Sequence, residues 1–498
     1  MPVSTSPAAP RVAVLADSDT RWKWGALTAH RIAPGMRLDG FLLRGRATPT
    51  ARQLDEVGIR ADSLREVTTA GFLRAVTTGG YDVVVLACVG GAVQAMLHGL
   101  RRAFAEAGTA TGPVPGTGTV PETGAGTAPT AEPGGPRGAD PSPKPVSATA
   151  TGEPVAAEPR AGRRPVIVTG YVGVVYEKLA DGLLLRHGAD VVLANSRHDA
   201  ERFRAVYAGV RAGTGSVVEA ALPFLGGAPY REPAAGERPY TVCFAVQPSV
   251  PADRAGRDHL LRRAAGHARR HPEREVLIKL RSKPGEHTTH IEELPYQKLV
   301  NRLPGGLPIN CRLVYGHMGE VLDRTDLLVT VSSTAALEAL HRRIPTAVLT
   351  DLGIREALGN HHFLGSGCLA SWDELDEGHR PEPDPDWLAR QGVAAEGGYE
   401  RAFDAARERI AKLLDRPALP PVTPYYTTVT APGYLPGILA RYGLDSGGAP
   451  TGAGSGAEAA DARGMRQVVR GAVREAARGA YRHGVQRVAP VIRRLGEL

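Results

Sequence analysis

Short, uniformly apolar runs, each cut off by a polar loop and followed by a helix-patterned stretch, recur in two separate halves of this chain, and they set its fold class. In the first half, residues 11–16 (RVAVLA) stop at Asp17-Ser18-Asp19. Residues 37–43 and 81–87 repeat the pattern, as do 165–169, 189–194 and 217–222. Helical patterning fills 24–32, 72–77, 90–107 and 176–186, with a helical connection expected over 54–67. Strands apolar on both faces that alternate with helices predict a parallel sheet covered on two sides.

The same grammar restarts at residue 240. Strands are expected at 240–246, 275–280, 313–315, 326–331 and 346–349, and helices at 254–270, 318–324, 334–341 and 400–414. The expected fold class is therefore α/β, with two doubly wound Rossmann-like domains facing a cleft at the carboxyl ends of their strands, where such sheets bind ligands. Residues 10–108 and 164–225 would form an N-terminal acceptor domain and 238–415 a C-terminal donor-binding domain. Residues 416–440, rich in proline and tyrosine, would return to the first domain, with a linker at 441–462.

Composition matters where this pattern fails. Glycine (60) and proline (40) are in excess, and much of it is concentrated in 109–163, a Gly/Pro/Thr/Ala/Glu stretch with few large apolar residues. Such a segment cannot bury enough surface to offset its chain entropy and is expected to be a disordered insertion. The net charge of +8 is equally uneven. Residues 463–498 hold nine arginines against two glutamates, a surplus of seven that leaves the rest nearly neutral. No basic patch interleaved with aromatics covers the folded halves, so nucleic acid is not an expected partner. The tail reads as a basic amphipathic helix whose arginines recur every four residues from Arg466 to Arg482 and continue to Arg494, a pattern suited to an anionic membrane surface. Four scattered cysteines without ligand spacing read as reduced and buried. No signal-like start and no apolar run of about 20 residues is present. A cytoplasmic protein, peripheral at the membrane through its tail, is expected.

Three segments carry candidate chemistry. In Leu327-Leu-Val-Thr-Val-Ser-Ser-Thr-Ala-Ala-Leu-Glu-Ala-Leu340 a strand ends at Val331 and Ser332, Ser333 and Thr334 open a helix bearing Glu338. Hydroxyls and unsatisfied amides at such a turn suit a phosphate. In Val276-Leu-Ile-Lys-Leu-Arg-Ser-Lys283 the alternation places Lys279, Arg281 and Lys283 on one face, suited to a diphosphate, with His287 and His290 beyond. The loop Asp17-Ser18-Asp19-Thr20-Arg21-Trp22-Lys23-Trp24 offers Asp17 or Asp19 as a base for an acceptor hydroxyl. Trp22, Lys23 and Trp24 would there provide an acceptor platform. No metal site is expected, although Asp17-Ser18-Asp19 reads literally as DxD. Gln247 and Ser249, after the first strand of the second half, stand where a nucleotide-contacting loop would lie. Asn360-His361-His362-Phe363-Leu364-Gly365-Ser366-Gly367 pairs two histidines with a glycine turn.

The segment from Ser332 to Leu349 resembles the "SS/ST…EAL…G-x-P" signature of many GT-B glycosyltransferases, with Arg343-Ile344 in place of the glycine before Pro345. The stretch around Lys279 resembles the "K-x-HP" motif of polysialyltransferase-like enzymes, with Arg281 where the histidine would stand. Together with the Asp17–Trp24 loop and the His361-His362 segment, these motifs resemble a glycosyltransferase family of high-GC bacteria similar to nonulosonic-acid transferases. The resemblance implies a metal-independent, inverting transferase that uses no cofactor. Its donor would be a nucleotide-sugar, such as a CMP-activated nonulosonic acid, and its acceptor a cell-surface glycan or lipid-linked saccharide. Alternatives within the fold are a sugar-nucleotide 2-epimerase or a glycerophosphotransferase. Outside enzymes, the alternative is a nucleotide-sugar-binding scaffold.

Overall fold

The computed structural model describes residues 9–45, 47–110, 163–174, 178–283, 286, 294–393 and 398–451. The expected insertion at 109–163, apart from its edges, the tail from Arg466 to Arg494, His287 and His290 lie outside the described residues.

The first sheet contains seven strands: β1 (Arg11–Ala16), β2 (Arg37–Leu43), β3 (Ser63–Val67), β4 (Val83–Ala87), β5 (Val166–Gly170), β6 (Val191–Ala194) and β7 (Val217–Glu219). Their spatial order is β3-β2-β1-β4-β5-β6-β7, and every pairing is parallel. The second has six: β8 (Tyr240–Ala245), β9 (Arg274–Lys279), β10 (Cys311–Val314), β11 (Leu327–Thr330), β12 (Thr346–Leu349) and β13 (Leu369–Ala370), in the order β10-β9-β8-β11-β12-β13. These pairings are parallel too. Both sheets therefore reverse winding direction once, between β1 and β4 in the first and between β8 and β11 in the second. Ligands of open α/β sheets bind at that switch point. Two doubly wound α/β domains meet across a cleft, the GT-B arrangement.

Strand composition explains the layering. β1, β4, β5 and β6 are apolar throughout or nearly so and almost fully buried, as strands covered on both faces must be. The helix Asp19–Ile32 starts five residues earlier than its apolar pattern, because Ser18 caps it by accepting the Arg21 N–H. One expectation fails locally and one helix goes unforeseen. Residues 54–67 are not one helix: Ala51–Val57 is helical, closed by Gly58 in the left-handed region, and Ser63–Val67 is edge strand β3. Its polar, largely exposed residues concealed the pairing with β2. The helix Arg197–Gly209, capped by Ser196, was not expected from the sequence, because its buried apolar face is narrow: Ala200, Phe203 and Tyr207 stand among charged neighbours.

The boundary of the second domain also differs from 238–415. Helix Asp404–Leu414 packs on β5, β6, β7 and helix Asp19–Ile32 of the first domain. Tyr399 donates its hydroxyl proton to Leu222 O at 2.7 Å. The crossing back is therefore complete before residue 400, ahead of the 416–440 segment. Further on, helix Leu435–Arg441 packs on helix Gly90–Ala110. This exchange makes one apolar cluster continuous from β1 and Trp24, through Leu222 and Leu225, to Ala336 and Leu340 of the second domain. Among the described residues no helix is long and apolar enough to cross a membrane.

Candidate functional site

The loops that follow β1, β8, β9 and β11 all end in one cavity of about 390 Å³ between the domains. Asp19, Thr20 and Lys23 reach it from the first turn of helix Asp19–Ile32. Gln247 and Ser249 follow β8, Lys279 and Arg281 follow β9, and Ser332, Ser333, Thr334 and Glu338 follow β11. The two switch points thus face each other, and the sequence-derived candidates converge here apart from Asp17, Trp22, Trp24 and Lys283, while His361 and His362 line a separate cavity.

Charge pairs span the cavity. Arg281 Nη2 donates to Asp19 Oδ1 at 3.0 Å and also to the Thr20 hydroxyl. Lys23 Nζ sits 3.6 Å from Glu338 Oε2 and 4.8 Å from the centre of the Phe224 ring. Farther along the same seam Arg52 pairs with Glu286. Burial pushes the Glu338 carboxyl above its ordinary value, against the opposing pull of Lys23 and Arg342. The Lys279 ammonium is driven down by burial, and its Nζ donates to Leu280 O at 2.7 Å.

The β11 loop divides its labour. Ser332 is buried, and its hydroxyl donates to Leu358 O at 2.6 Å. Its N–H donates to Gln247 Oε1 at 3.0 Å, and Gln247 Nε2 returns a bond to Ser332 Oγ at 3.2 Å. Ser332 and Gln247 therefore lock the β8 and β11 loops together. Ser333 and Thr334 remain partly exposed, and Ser333 Oγ accepts the Ala335 N–H at 3.2 Å just ahead of the short helix Ala335–His341. The first domain comes close here: a Cβ on Gly173 would lie 2.8 Å from Thr334 Oγ1, so any larger residue would make the Thr334 side chain shift.

Several expectations are corrected. Trp22 and Trp24 are buried at 0% and 1% exposure. Trp24 Nε1 donates to Asn195 Oδ1 at 3.4 Å, and the Trp22 ring fills the space beside Gly40. They are core residues rather than an acceptor platform, because helix Asp19–Ile32 turns its apolar face onto the sheet. Lys23, one position between them, does face the cavity. Asp17 serves the scaffold: its carboxylate accepts the Val89 N–H at 3.0 Å and pairs with Arg21 at 3.0 Å. Asp17 and Asp19 thus turn to different partners, and the DxD spelling does not gather them.

Sequence reasoning missed two residues here. His317 lines the cavity from the loop after β10, its imidazole pushed down by burial and by the nearby Lys23 cation. Arg257, buried in helix Arg254–Arg270, donates to Gln247 O at 2.8 Å and to Pro251 O at 2.9 Å, holding the β8 loop in shape. An arginine in an arginine-rich helix gave no sign of this, since its neighbours are solvated. The described residues include one group with metal-ligand geometry, His267, His271 and Asp376. It lies outside the cavity and is occupied by an ion-paired network with Arg263 and Arg270.

Comparison with known proteins adds a family. The family model described as "Putative glycosyltransferase (DUF6716)" matches residues 12–128 and 145–413. Among curated proteins nothing matches. Solved structures with related architecture include the UDP-GlcNAc 2-epimerase of Neisseria meningitidis, at 10% identity and TM-score 0.41 over 81% of this chain and 100% of that one. The glycosyltransferase SnogD of Streptomyces nogalater matches at 14% identity and TM-score 0.36 over 81% of this chain and 95% of that one. Likeness of that degree says nothing about individual residues here.

Proposed function

The chain belongs to this glycosyltransferase family, and from that premise we propose that the interdomain cavity binds a nucleotide-sugar and passes its sugar to a hydroxyl acceptor. The observation that carries the reading is the convergence of Asp19 with Lys279, Arg281, Ser333 and Thr334 at the facing switch points of two sheets. Donor phosphate would rest on the Ser333 and Thr334 hydroxyls and on the Arg281 guanidinium, whose fork suits phosphate oxygens. Ser332 and Gln247 would shape that seat, and Ser249 and Glu338 would meet the nucleotide and the donor sugar. A CMP-activated nonulosonic acid is the preferred donor, and a cell-surface glycan or lipid-linked saccharide the preferred acceptor. The arginine-rich tail would hold the enzyme at the inner face of the membrane.

In this reading the reaction inverts the anomeric centre. The acceptor oxygen attacks the anomeric carbon and gives its proton to Asp19. The bond from that carbon to the donor phosphate oxygen breaks, and the nucleotide leaves with the electron pair. Arg281, drawn from Asp19 to the phosphate, frees the carboxylate for its role as base and offsets the leaving charge.

A second reading is favoured by Glu338, a buried carboxylate on the donor side with a raised pKa: removal and return of a proton on the donor sugar itself, as a 2-epimerase requires. The two are separated by incubating nucleotide-sugars in deuterated water without acceptor, where only the epimerase reading gives deuterium at the sugar C2. The transferase reading is tested by a thermal-shift panel of CMP, CDP, UDP, GDP and ADP, since a ligand that binds only the native state must raise the melting temperature. A rise with CMP, reduced in Ser333→Ala, supports it. No rise with any nucleotide sinks it.

A further inference from the structure

A second cavity, about 590 Å³, opens between residues of the two domains. Its walls come from His198 and Arg202, on the helix that follows β6, from His361 and His362, in the segment that follows β12, and from Asp386, Trp387 and Gln391, beyond β13. It therefore lies at the carboxyl edges of both sheets, as the donor cavity does. β12 neighbours β11, and β6 stands three strands from β1, so this cavity lies farther along the sheet edges than the donor cavity.

An indole and three imidazoles in the lining set this cavity apart from its neighbour. Arg202 and Arg390 are matched by Asp384 and Asp386 in the lining, so the walls carry no formal excess of cation. The Trp387 ring lies 5.5 Å from the Phe363 ring with a 31° tilt, and His362 meets Trp387 at 5.9 Å and His198 at 5.8 Å. Burial holds His362 down to about 4 and His198 below its ordinary value. Both imidazoles are neutral at pH 7, each with one donor and one acceptor. Planar donors and acceptors around an indole match the alternation of hydroxyls and C–H faces on a sugar ring. The volume falls in the range of about 300–1,000 Å³ usual for small-molecule sites.

We propose that this cavity, built around Trp387, His198, His362, Arg202 and Asp386, is a saccharide-binding site that seats the glycan acceptor. The assignment as acceptor rests on the glycosyltransferase reading of the neighbouring cavity. The saccharide site itself does not.

Trp387 supplies its own probe. Of the four tryptophans, Trp22, Trp24 and Trp372 are buried, and Trp387 alone is partly open. Acrylamide quenching of intrinsic fluorescence in the full chain therefore reports chiefly on this cavity. With N-acetylglucosamine, galactose and N-acetylneuraminic acid as probes, at least one should protect the fluorescence saturably. The protection should vanish in Trp387→Phe and should need about tenfold more sugar in Asp386→Asn or Arg202→Gln, the loss expected for one or two hydrogen bonds. The nucleotide thermal shift should stay as in the parent protein in Asp386→Asn. No protection by any of the three sugars, or protection that persists unchanged in Asp386→Asn and Arg202→Gln, overturns the proposal. Protection without any nucleotide response upholds the saccharide site and overturns only the donor reading, and a nucleotide response without protection does the reverse.

Discussion

Replacing Asp19 with asparagine should strengthen nucleotide binding while stopping transfer. The Asp19 carboxylate holds Arg281 at 3.0 Å, with side-chain exposures of 16% and 28%. A donor phosphate must compete with that carboxylate for the guanidinium and then sit near its charge. A hydrogen bond to a charged group is worth about 1.5–3 kcal/mol when buried, and partial exposure of Arg281 cuts this to about 1 kcal/mol. Asp19→Asn removes the competitor, keeps the shape, and should tighten nucleotide binding by about fivefold, since about 1.4 kcal/mol corresponds to a factor of ten. Arg281→Ala should weaken binding by at least as much. Isothermal titration with the nucleotide giving the largest thermal shift measures both, and transfer by Asp19→Asn should drop by at least about 100-fold, the usual contribution of a positioned base. Unchanged or weaker nucleotide binding in Asp19→Asn, or near-parental transfer, would refute the claim that Asp19 and phosphate exchange places on Arg281.

The adjacent serines should behave oppositely. Ser332→Ala removes a buried bond to Leu358 O and should cost about 1–3 kcal/mol of stability, whereas Ser333→Ala should spare the melting temperature and weaken nucleotide binding, both readable by denaturation and titration. Trp24→Ala should cost about 3–5 kcal/mol in urea unfolding; a neutral effect would return that residue to the acceptor surface. At Asp39, burial works to raise the pKa, but bonds from Ser63 at 2.6 Å, Tyr81 at 3.0 Å and Arg11 at 3.0 Å outweigh it and hold the carboxyl below its ordinary value. A depressed folded pKa stabilises above the unfolded value of about 3.9 and loses that contribution as pH falls through the folded pKa. Asp39→Ala should therefore cost about 2–3 kcal/mol at neutral pH, the gap to the parent protein narrowing only below about pH 4 in pH-dependent urea melts.

Much of the fold was legible because its central strands are apolar on both faces. Residues 11–16, 37–43, 240–245 and 346–349 announce themselves by composition, and the Ser-Ser-Thr turn after β11 by its place between strand and helix. What escaped the sequence is what depends on partners distant in the chain. Edge strand β3 is polar and makes sense only beside β2. Helix Asp404–Leu414 follows the second domain in sequence yet buries its apolar face on the first. At the site, chain order alone could not separate Asp17 from Asp19, two residues apart, one bound to Val89 and the other to Arg281. Nor could it reveal that Trp22 and Trp24 turn inward while Lys23 turns out: the spacing fits a helix, but which side met the sheet depended on Val14, Ala87 and Gly170. His198, Arg202 and Trp387 share a cavity although nearly 190 residues separate the first from the last.

The central claim is that donor phosphate occupies the meeting point of the two switch loops. A co-crystal structure with CMP or UDP tests it directly. The account predicts phosphate oxygens within hydrogen-bond reach of Ser333, Thr334 and Arg281, with the Arg281–Asp19 bond broken. A nucleotide seated instead against Trp387 and His362, or bound with Arg281 still on Asp19, would contradict it.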